Sequence, residues 1–249
     1  MPNILKLKEK LVKDIRKFFQ ENGKDCNAII GISGGKDSSI AAALCVEALG
    51  KDRVIGVLMP NGEQSDINDA EDLVKALGIR SICVNIYNPV NALSALIKSA
   101  LEVEELSAQT NINLPPRIRM STLYAIAQST NGRVINTSNY SEIYIGYSTR
   151  WGDSVGDYAP FAMLTSDEVI KIGDACNIPY HLVHKVPSDG LCGKSDEENF
   201  GFSYEVLNHY IDTGVCDNER IKEKIDTLHR NSEFKRLPIP CFMFEWSDE

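Results

Sequence analysis

The feature that most constrains the fold is a repeated alternation of short apolar runs with longer helix-like segments over the first 137 residues. The runs are rich in β-branched residues and bounded by glycine, proline or polar residues, which is typical of buried strands. Strands that alternate with helices predict a parallel sheet joined by right-handed crossovers. The four runs are NAIIGI, RVIGVLM, RSICVNI and RVINT, beginning at residues 27, 53, 80 and 133.

The segments between the runs carry helical patterns. In the first of them, Ile4, Leu7, Leu11, Ile15 and Phe18 fall on one helical face. We therefore expect an α/β protein with a doubly wound, mostly parallel, five-stranded sheet flanked by helices, and residues 1–249 as one domain. Further helices are predicted over residues 37–49, 65–77, 89–101, 114–130 and 167–176, with Pro115 and Pro116 in the first turn of the fourth.

Composition restricts the partners. The net charge of -9 argues against general binding to nucleic acid or to an anionic membrane. The 7 cysteines contain no CxxC pair, which predicts reduced thiols and a cytoplasmic location. No apolar run is long enough to cross a bilayer.

The stretch GISGGKDS, residues 31–38, follows the first predicted strand and opens a predicted helix. It matches neither GxxxxGK[ST] nor GxGxxG, so it lacks the phosphate loop of common nucleotidases and the dinucleotide fingerprint. Gly34 and Gly35 nevertheless permit close approach of an anion to a helix N-terminus. Asp37 would repel that anion unless Mg²⁺ lies between them. The alternative is a glycine turn in which Asp37 only caps the helix.

SGGKDS resembles the pyrophosphate loop of the N-type ATP pyrophosphatases, whose fold is the adenine nucleotide alpha hydrolase type. Five further segments, in order, resemble ammonia-dependent NAD synthetase. They are NLPPRIRM, VINTSNYSE, GYSTRWGDSVGDYAP, VPSDGL and SDEENFGFSYEVLNHYI, beginning at residues 113, 134, 146, 186 and 195. The resemblance implies that ATP activates deamido-NAD as an adenylate and that ammonia displaces AMP, giving NAD, AMP and pyrophosphate. It also implies a homodimer.

The resemblance assigns roles to individual residues. Asp37 and Glu142 are the expected catalytic carboxylates and Mg²⁺ ligands, although Glu142 could instead answer a helix dipole. Ser188 matches an ATP-contacting Ser or Thr. The expected ATP-binding residues are Gly31, Ile32, Ser33, Gly34, Gly35, Lys36, Asp37, Ser38, Thr137 and Ser188, and those for deamido-NAD are Arg117, Arg150, Asp157, Phe234 and Lys235. Arg119 is left open between a ligand contact and a solvated helix charge.

The sequence departs from the family pattern in three ways. Thr165 and Ser166 stand where the family has a phosphate-facing lysine, and Lys185 or Lys194 is the alternative cation. Arg150 replaces a lysine, and Phe234 replaces the histidine of a His-Lys pair. These departures keep two alternatives open: an adenylate-forming ligase for another small carboxylate, and a nucleotide-binding paralogue with little catalysis. The acidic run in SDEENF is expected to be a solvated loop or helix start.

Overall fold

The structure is a computed structural model that describes residues 3–63, 67–185 and 195–242. Four strands within these residues form one parallel sheet in the order β3-β2-β1-β4. Ile29 of β1 pairs with Ile55 of β2 and with Val134 of β4. The predicted α/β class with a parallel sheet is confirmed. The strands are β1 (Asn27–Gly31), β2 (Val54–Leu58), β3 (Arg80–Cys83) and β4 (Gly132–Val134).

The expected count of five strands is wrong for the described residues. Beyond β4, the edge of the sheet carries one isolated parallel bridge, between Ile135 and Tyr158. The chain reaches Pro160 two residues after Tyr158, and proline cannot donate to a strand ladder. The segment that follows β4 therefore contacts the sheet at one point and then leaves it.

Helices connect the strands and continue beyond them. In the first half they are α1 (Ile4–Asn22), α2 (Lys36–Leu49), α3 (Ile67–Leu77), α4 (Tyr87–Leu101) and α5 (Ala108–Ser129), with a 3₁₀ turn at Lys51–Arg53. In the second half they are α6 (Tyr140–Ile145), α7 (Ser166–Asp174), α8 (Tyr180–Val183), α9 (Asp196–Phe200), α10 (Tyr204–Thr213), α11 (Glu219–Asn231) and α12 (Glu233–Arg236). None of the helices described here has the length and apolar character needed to span a bilayer.

The start of α5 differs from the prediction. The helix begins at Ala108, and the Ser107 hydroxyl caps it by accepting a hydrogen bond from the Thr110 N–H. Pro115 and Pro116 lie in the helix interior and not in its first turn. The Ser107 cap provides a start signal that the polar composition of residues 108–113 conceals.

The two faces of the sheet bury separate cores. Ala28 and Ile30 of β1 pack in a core with Ile15 and Ile40 of the helices α1 and α2. Ile29, which alternates with them along the strand, packs on the opposite face with α5. A third cluster joins α6 to α9, α10 and α11. Both faces are covered, as a doubly wound parallel sheet requires.

The strand order creates a crevice. β2 and β3 lie on one side of β1, and β4 lies on its other side. The connections that leave β1 and β4 therefore run in different directions, and ligands of open α/β sheets bind outside the strand ends at such a switch point. The GISGGKDS loop and the start of α6 both lie there.

Candidate active site

The glycine loop between β1 and α2 is built for close packing. Gly34 has φ +77°, and a Cβ at this position would lie 2.8 Å from the Cβ of Asp69. The Ser33 backbone N–H donates to the Ser38 hydroxyl at 3.3 Å, which holds the turn across the start of α2. Gly35 occupies the N-cap of α2, and no side chain caps the helix. The helix therefore directs backbone N–H groups and the positive end of its dipole toward the crevice.

A buried ion pair follows the loop. The Lys36 side chain is only 3% exposed, and its Nζ lies 2.6 Å from Asp37 Oδ2. The other carboxylate oxygen of Asp37 accepts from Asn139 Nδ2 at 3.3 Å. Asn139 is the N-cap of α6, so this bond links the loop after β1 to the helix after β4. The GISGGKDS and VINTSNYSE motifs are therefore in contact in the structure.

Glu142 both caps α6 and lines the cavity. It completes a capping box with Asn139, because its carboxylate accepts from the Asn139 N–H and its own N–H donates to the Asn139 side chain. It also lines the same cavity as Asp37. Burial and the charge of Asp37 raise the pKa of Glu142 to about 8, although the charge of Lys36 lowers it. A cation beside this carboxylate therefore favours its ionised form.

Asp196 belongs to the acidic run that was predicted to be a solvated loop or helix start; it does begin α9, but its side chain is buried at the site. It is 5% exposed, its Oδ2 accepts from the Tyr204 hydroxyl at 3.1 Å, and it lines the cavity. Phe200 and Tyr204, which follow Asp196 in the chain, pack in the third hydrophobic cluster. Their packing keeps Asp196 in the protein interior. We call Lys36, Asp37, Glu142 and Asp196 the charged cluster.

The cavity has a volume of about 570 Å³. It is bordered by the glycine loop, the end of β2, one face of α5 and the segment that follows β4. Met59 and Leu123 pack close to Gly31, since a Cβ on Gly31 would lie 3.3 Å and 3.5 Å from their side-chain carbons. We call Met59, Met120 and Leu123, together with Arg119, the apolar side. Polar residues that line the same cavity include Asn136 and Thr137.

Arg119 is the one residue of the apolar side with a charge. Its Nε donates to the backbone carbonyl of Met59 at 3.2 Å, and its side chain lines the cavity. Burial lowers the pKa of Arg119, and the charge of Asp153 opposes that shift. The structure therefore resolves the open alternative for Arg119 in favour of a cavity position.

Arg117 and Arg150 are neighbours outside the lining of the cavity. Arg117 is exposed, and its Nε donates to the Arg150 carbonyl at 3.4 Å. The Arg150 guanidinium carbon lies 4.9 Å from the Trp151 ring centroid and 5.3 Å from that of Phe234. Two of the departures from the family pattern, Arg150 and Phe234, are therefore in contact. An arginine stacks on an aromatic face in a way that lysine does not reproduce.

Asp157 and Lys235 make contacts with the backbone. Asp157 Oδ2 accepts from the Val134 N–H at 2.7 Å, and Oδ1 accepts from the Tyr124 hydroxyl at 3.3 Å. Lys235 Nζ donates to the carbonyls of Gly146 and Ser148 at 2.7 and 2.6 Å. Both residues hold the segment after β4 in position. Neither is among the residues that line the cavity, and Ser188 and Lys194 lie outside the described residues.

The position that departs from a lysine, Ser166, is buried in a hydroxyl–amide network. Its N–H donates to the Ser141 hydroxyl at 3.0 Å, and its own hydroxyl accepts from Asn208 Nδ2 at 3.1 Å. The Ser141 hydroxyl in turn donates to Asn208 Oδ1 at 2.6 Å. The network joins α6, α7 and α10 directly behind Glu142. The other named alternative, Lys185, lines the cavity and pairs with Asp69 at 2.6 Å.

The donor set suits a magnesium ion that is shared with phosphate. The part of the chain that the structure describes contains no cluster of three or more His, Cys, Asp or Glu side chains arranged to hold a metal alone. Mg²⁺ commonly takes one or two carboxylates and completes its shell with water and substrate phosphate. Asp37 and Glu142, beside a helix N-terminus, fit that pattern.

The sheet, the switch-point crevice and the glycine loop define a nucleotide-binding protein of the doubly wound α/β class. Comparison with known proteins narrows this class. The family described as NAD synthase matches residues 7–238, and the chain belongs to this family. It is similar to the NH(3)-dependent NAD(+) synthetases of Pyrococcus furiosus, at 37% identity over 93% of each chain, and of Methanocaldococcus jannaschii, at 39% identity over 92% of this chain and 95% of that one.

Two solved structures share the fold, and one of them is named for a different activity. The chain is similar to the NMN synthetase of Francisella tularensis, with a TM-score of 0.89, 30% identity, and coverage of 98% of this chain and 100% of that one. Its similarity to the NH3-dependent NAD synthetase of Campylobacter jejuni has a TM-score of 0.78 at 23% identity, with the same coverage. The second similarity shows the fold.

Proposed function

We propose that this protein is an ammonia-dependent NAD synthetase that amidates deamido-NAD with ATP, giving NAD, AMP and pyrophosphate. The observation that carries the proposal is the meeting of the glycine loop with Asp37, Asn139 and Glu142 at the switch point of a chain in this family. A carboxylate accepts an amine only after its oxygen becomes a good leaving group. Attack of the nicotinate carboxylate on the α-phosphate achieves this and releases pyrophosphate.

The charged cluster serves the nucleotide. The N–H groups at the start of α2 and the hydroxyls of Ser33 and Ser38 face the β and γ phosphates. Asp37 and Glu142 would hold Mg²⁺, and the ion would supply positive charge beside the phosphates of ATP. Thr137 contacts the same nucleotide, and Ser188 is assigned the same role. This preorganised charge acts where new charge develops in the transition state.

The apolar side orients a ring. Met59, Met120 and Leu123 offer a surface for a flat nucleotide base, and Arg119 adds one positive charge toward an anionic group. We assign Arg117, Arg150 and Phe234 to the outer part of the deamido-NAD site. Asp157 and Lys235 position the loop that carries this site, through the backbone bonds already described. Fixing the carboxylate beside the α-phosphate supplies catalysis through orientation.

We further propose a cytoplasmic homodimer in which each chain is one domain. Cys26, Cys45, Cys83 and Cys176 are thiols without disulfides, which fits a reducing compartment. A row of apolar side chains on and after α4 is exposed, and a row of this kind is suited to self-association. Its members are Leu93, Leu96, Leu101, Val103 and Ile112.

A product assay tests the proposal. Purified protein is given ATP, Mg²⁺, ammonium and deamido-NAD, and AMP, pyrophosphate and NAD are measured together. We expect the three products in equal amounts, and no NAD when ammonium is left out. Formation of ADP and orthophosphate would contradict the proposal. ATP binding without any turnover would support the paralogue with little catalysis.

The TM-score of 0.89 to an NMN synthetase favours a second candidate function. In this function, the protein would form NMN by amidating nicotinate mononucleotide. Arg150 and Phe234, two departures from the NAD synthetase pattern, are in contact, and we assign this contact to the outer half of the dinucleotide site. The ratio of kcat/KM for deamido-NAD and for nicotinate mononucleotide separates the two. A ratio above one supports NAD synthesis, and a ratio well below one supports NMN synthesis.

A further inference from the structure

Lys36 has an unusual environment for a lysine. It occupies the variable position of SGGxDS, yet its side chain is almost fully buried and pairs with Asp37 at 2.6 Å. Its Nζ also lies 5.6 Å from the centroid of the Tyr204 ring. Lys36, Asp37, Glu142 and Asp196 line the same cavity. The ammonium therefore lies among the carboxylates of the charged cluster and forms an ion pair with Asp37.

These carboxylates are the groups that the divalent ion needs. A buried carboxylate that has no cation beside it tends to take up a proton, so positive charge in the site keeps these groups ionised before any metal arrives. Lys36 supplies it from within the loop. The ammonium and the divalent ion would then compete for Asp37, since two cations cannot share one carboxylate oxygen at close range without strong repulsion.

We propose that Lys36 is a resident counter-ion that the divalent ion displaces from Asp37, and that the released ammonium then becomes the loop's own cation for the departing pyrophosphate. The second half of this proposal rests on the proposed function, while the first half does not. The position of Ser166 agrees with it, because the serine is enclosed by Ser141 and Asn208 and presents no cation to the cavity. In this proposal, Lys36 of the loop after β1 provides the positive charge that Ser166 does not.

The first half is tested by metal binding without nucleotide. Electron paramagnetic resonance of free Mn²⁺ gives the affinity of the wild type, Lys36→Met, Lys36→Arg and Lys222→Met. Lys222 pairs with Asp226 at 2.8 Å outside the site and is the matched control. We expect Lys36→Met to bind Mn²⁺ at least about tenfold more tightly than the wild type, because the competing charge is gone. Lys36→Arg and Lys222→Met should stay near the wild type.

An affinity of Lys36→Met within twofold of the wild type would overturn the proposal. Circular dichroism melting establishes that each variant is folded. If a variant does not fold, the wild type alone still tests the proposal. Lys36 is reductively methylated with and without Mg²⁺, and mass spectrometry measures the extent of methylation. Methylation at Lys36 should rise several-fold with Mg²⁺ while Lys222 is unchanged. An unchanged rate at Lys36 would overturn the proposal.

Turnover tests the second half. Loss of one preorganised donor at a developing anion lowers kcat by about a hundredfold or more. We therefore expect Lys36→Met to lose kcat on that scale and Lys36→Arg to keep a larger share. An unchanged kcat in Lys36→Met would overturn this half. A wild type that displaces Lys36 with Mg²⁺ but forms no NAD would refute the proposed function and leave the counter-ion role intact.

Discussion

The charged cluster and the apolar side border one cavity, but their side chains are held in place by different interactions. In the charged cluster, Lys36, Asp37 and Glu142 depend on each other's charge, so each one sets the protonation or position of the next. On the apolar side, Arg119 is held by a backbone carbonyl and its neighbours are methionine and leucine. The charged cluster is therefore suited to phosphate and metal chemistry, and the apolar side is suited to binding a ring. Changes in the first should alter kcat, and changes in the second should alter KM.

The largest effect is expected for Asp37→Asn. The substitution keeps the size of the side chain but removes the charge that pairs with Lys36 and faces the metal. We expect kcat to fall by about a thousandfold, since the transition state loses a metal ligand. Steady-state kinetics with pyrophosphate release measures this. Asp226→Asn, which removes the partner of Lys222 elsewhere, is the control, and equal losses in both variants would contradict the role of Asp37.

Arg119→Met tests the apolar side. The variant keeps most of the apolar stem and removes the charge. We expect KM to rise by about ten- to a hundredfold with a smaller change in kcat, because a hydrogen bond to a charged group is worth about 1.5–3 kcal/mol. Arg117→Met, at the exposed arginine of the same segment, should have the smaller effect in KM measurements. The reverse order would show that the outer arginine dominates binding.

Gly156→Ala perturbs Asn136, a polar residue that lines the cavity. An added Cβ would lie 2.7 Å from both the backbone N and the Cβ of Asn136, and Asn136 lines the cavity. We expect a loss of about 1–3 kcal/mol in the free energy of unfolding and a several-fold rise in KM. Gly214→Ala is the control: it has φ +72° and open space around it, so it is strained only in its own backbone. If both variants raise KM equally, the packing of Gly156 on Asn136 is irrelevant to binding.

Tyr124→Phe should have the smallest effect. The Tyr124 hydroxyl donates to Asp157, and burial together with the charge of Asp157 raises the pKa of Tyr124 to about 12. Because the folded state then holds a proton that the unfolded state releases near pH 10, stability is full below that pH and falls as the pH rises toward 12. The variant should lose about 0.5–1.5 kcal/mol at pH 7 and show a weaker alkaline decline. Denaturant melts from pH 7 to pH 12 measure both, and identical pH profiles would contradict the link.

Much of the fold was predictable from local patterns. The four strands were placed within a few residues, because β-branched runs bounded by glycine or polar residues are short-range signals. The start of α5 was misplaced, since the helix that Ser107 caps begins at Ala108, six residues before the predicted start at Leu114. The edge beyond β4 was also overestimated. One bridge at Tyr158 depends on how the 151–160 loop packs, which strand propensity does not encode.

The site was predictable only as far as motifs reach. The order of the motifs brought Asp37 and Glu142 to one rim, and their link through Asn139 follows from strand order. Asp196 was missed because its burial depends on a distant helical cluster and not on its own acidic neighbours. The contact between Arg150 and Phe234 joins residues 84 positions apart by number, so two separate departures could not be recognised as one interaction.

In the proposed reaction a substrate carboxylate attacks the α-phosphate above the glycine loop. Deamido-NAD labelled with ¹⁸O in its nicotinate carboxylate reports this attack. After turnover with ATP, Mg²⁺ and ammonium, mass spectrometry locates the label. We predict one ¹⁸O atom in AMP for each NAD formed. Label in orthophosphate, with ADP as the nucleotide product, would show attack at the γ-phosphate and contradict the account.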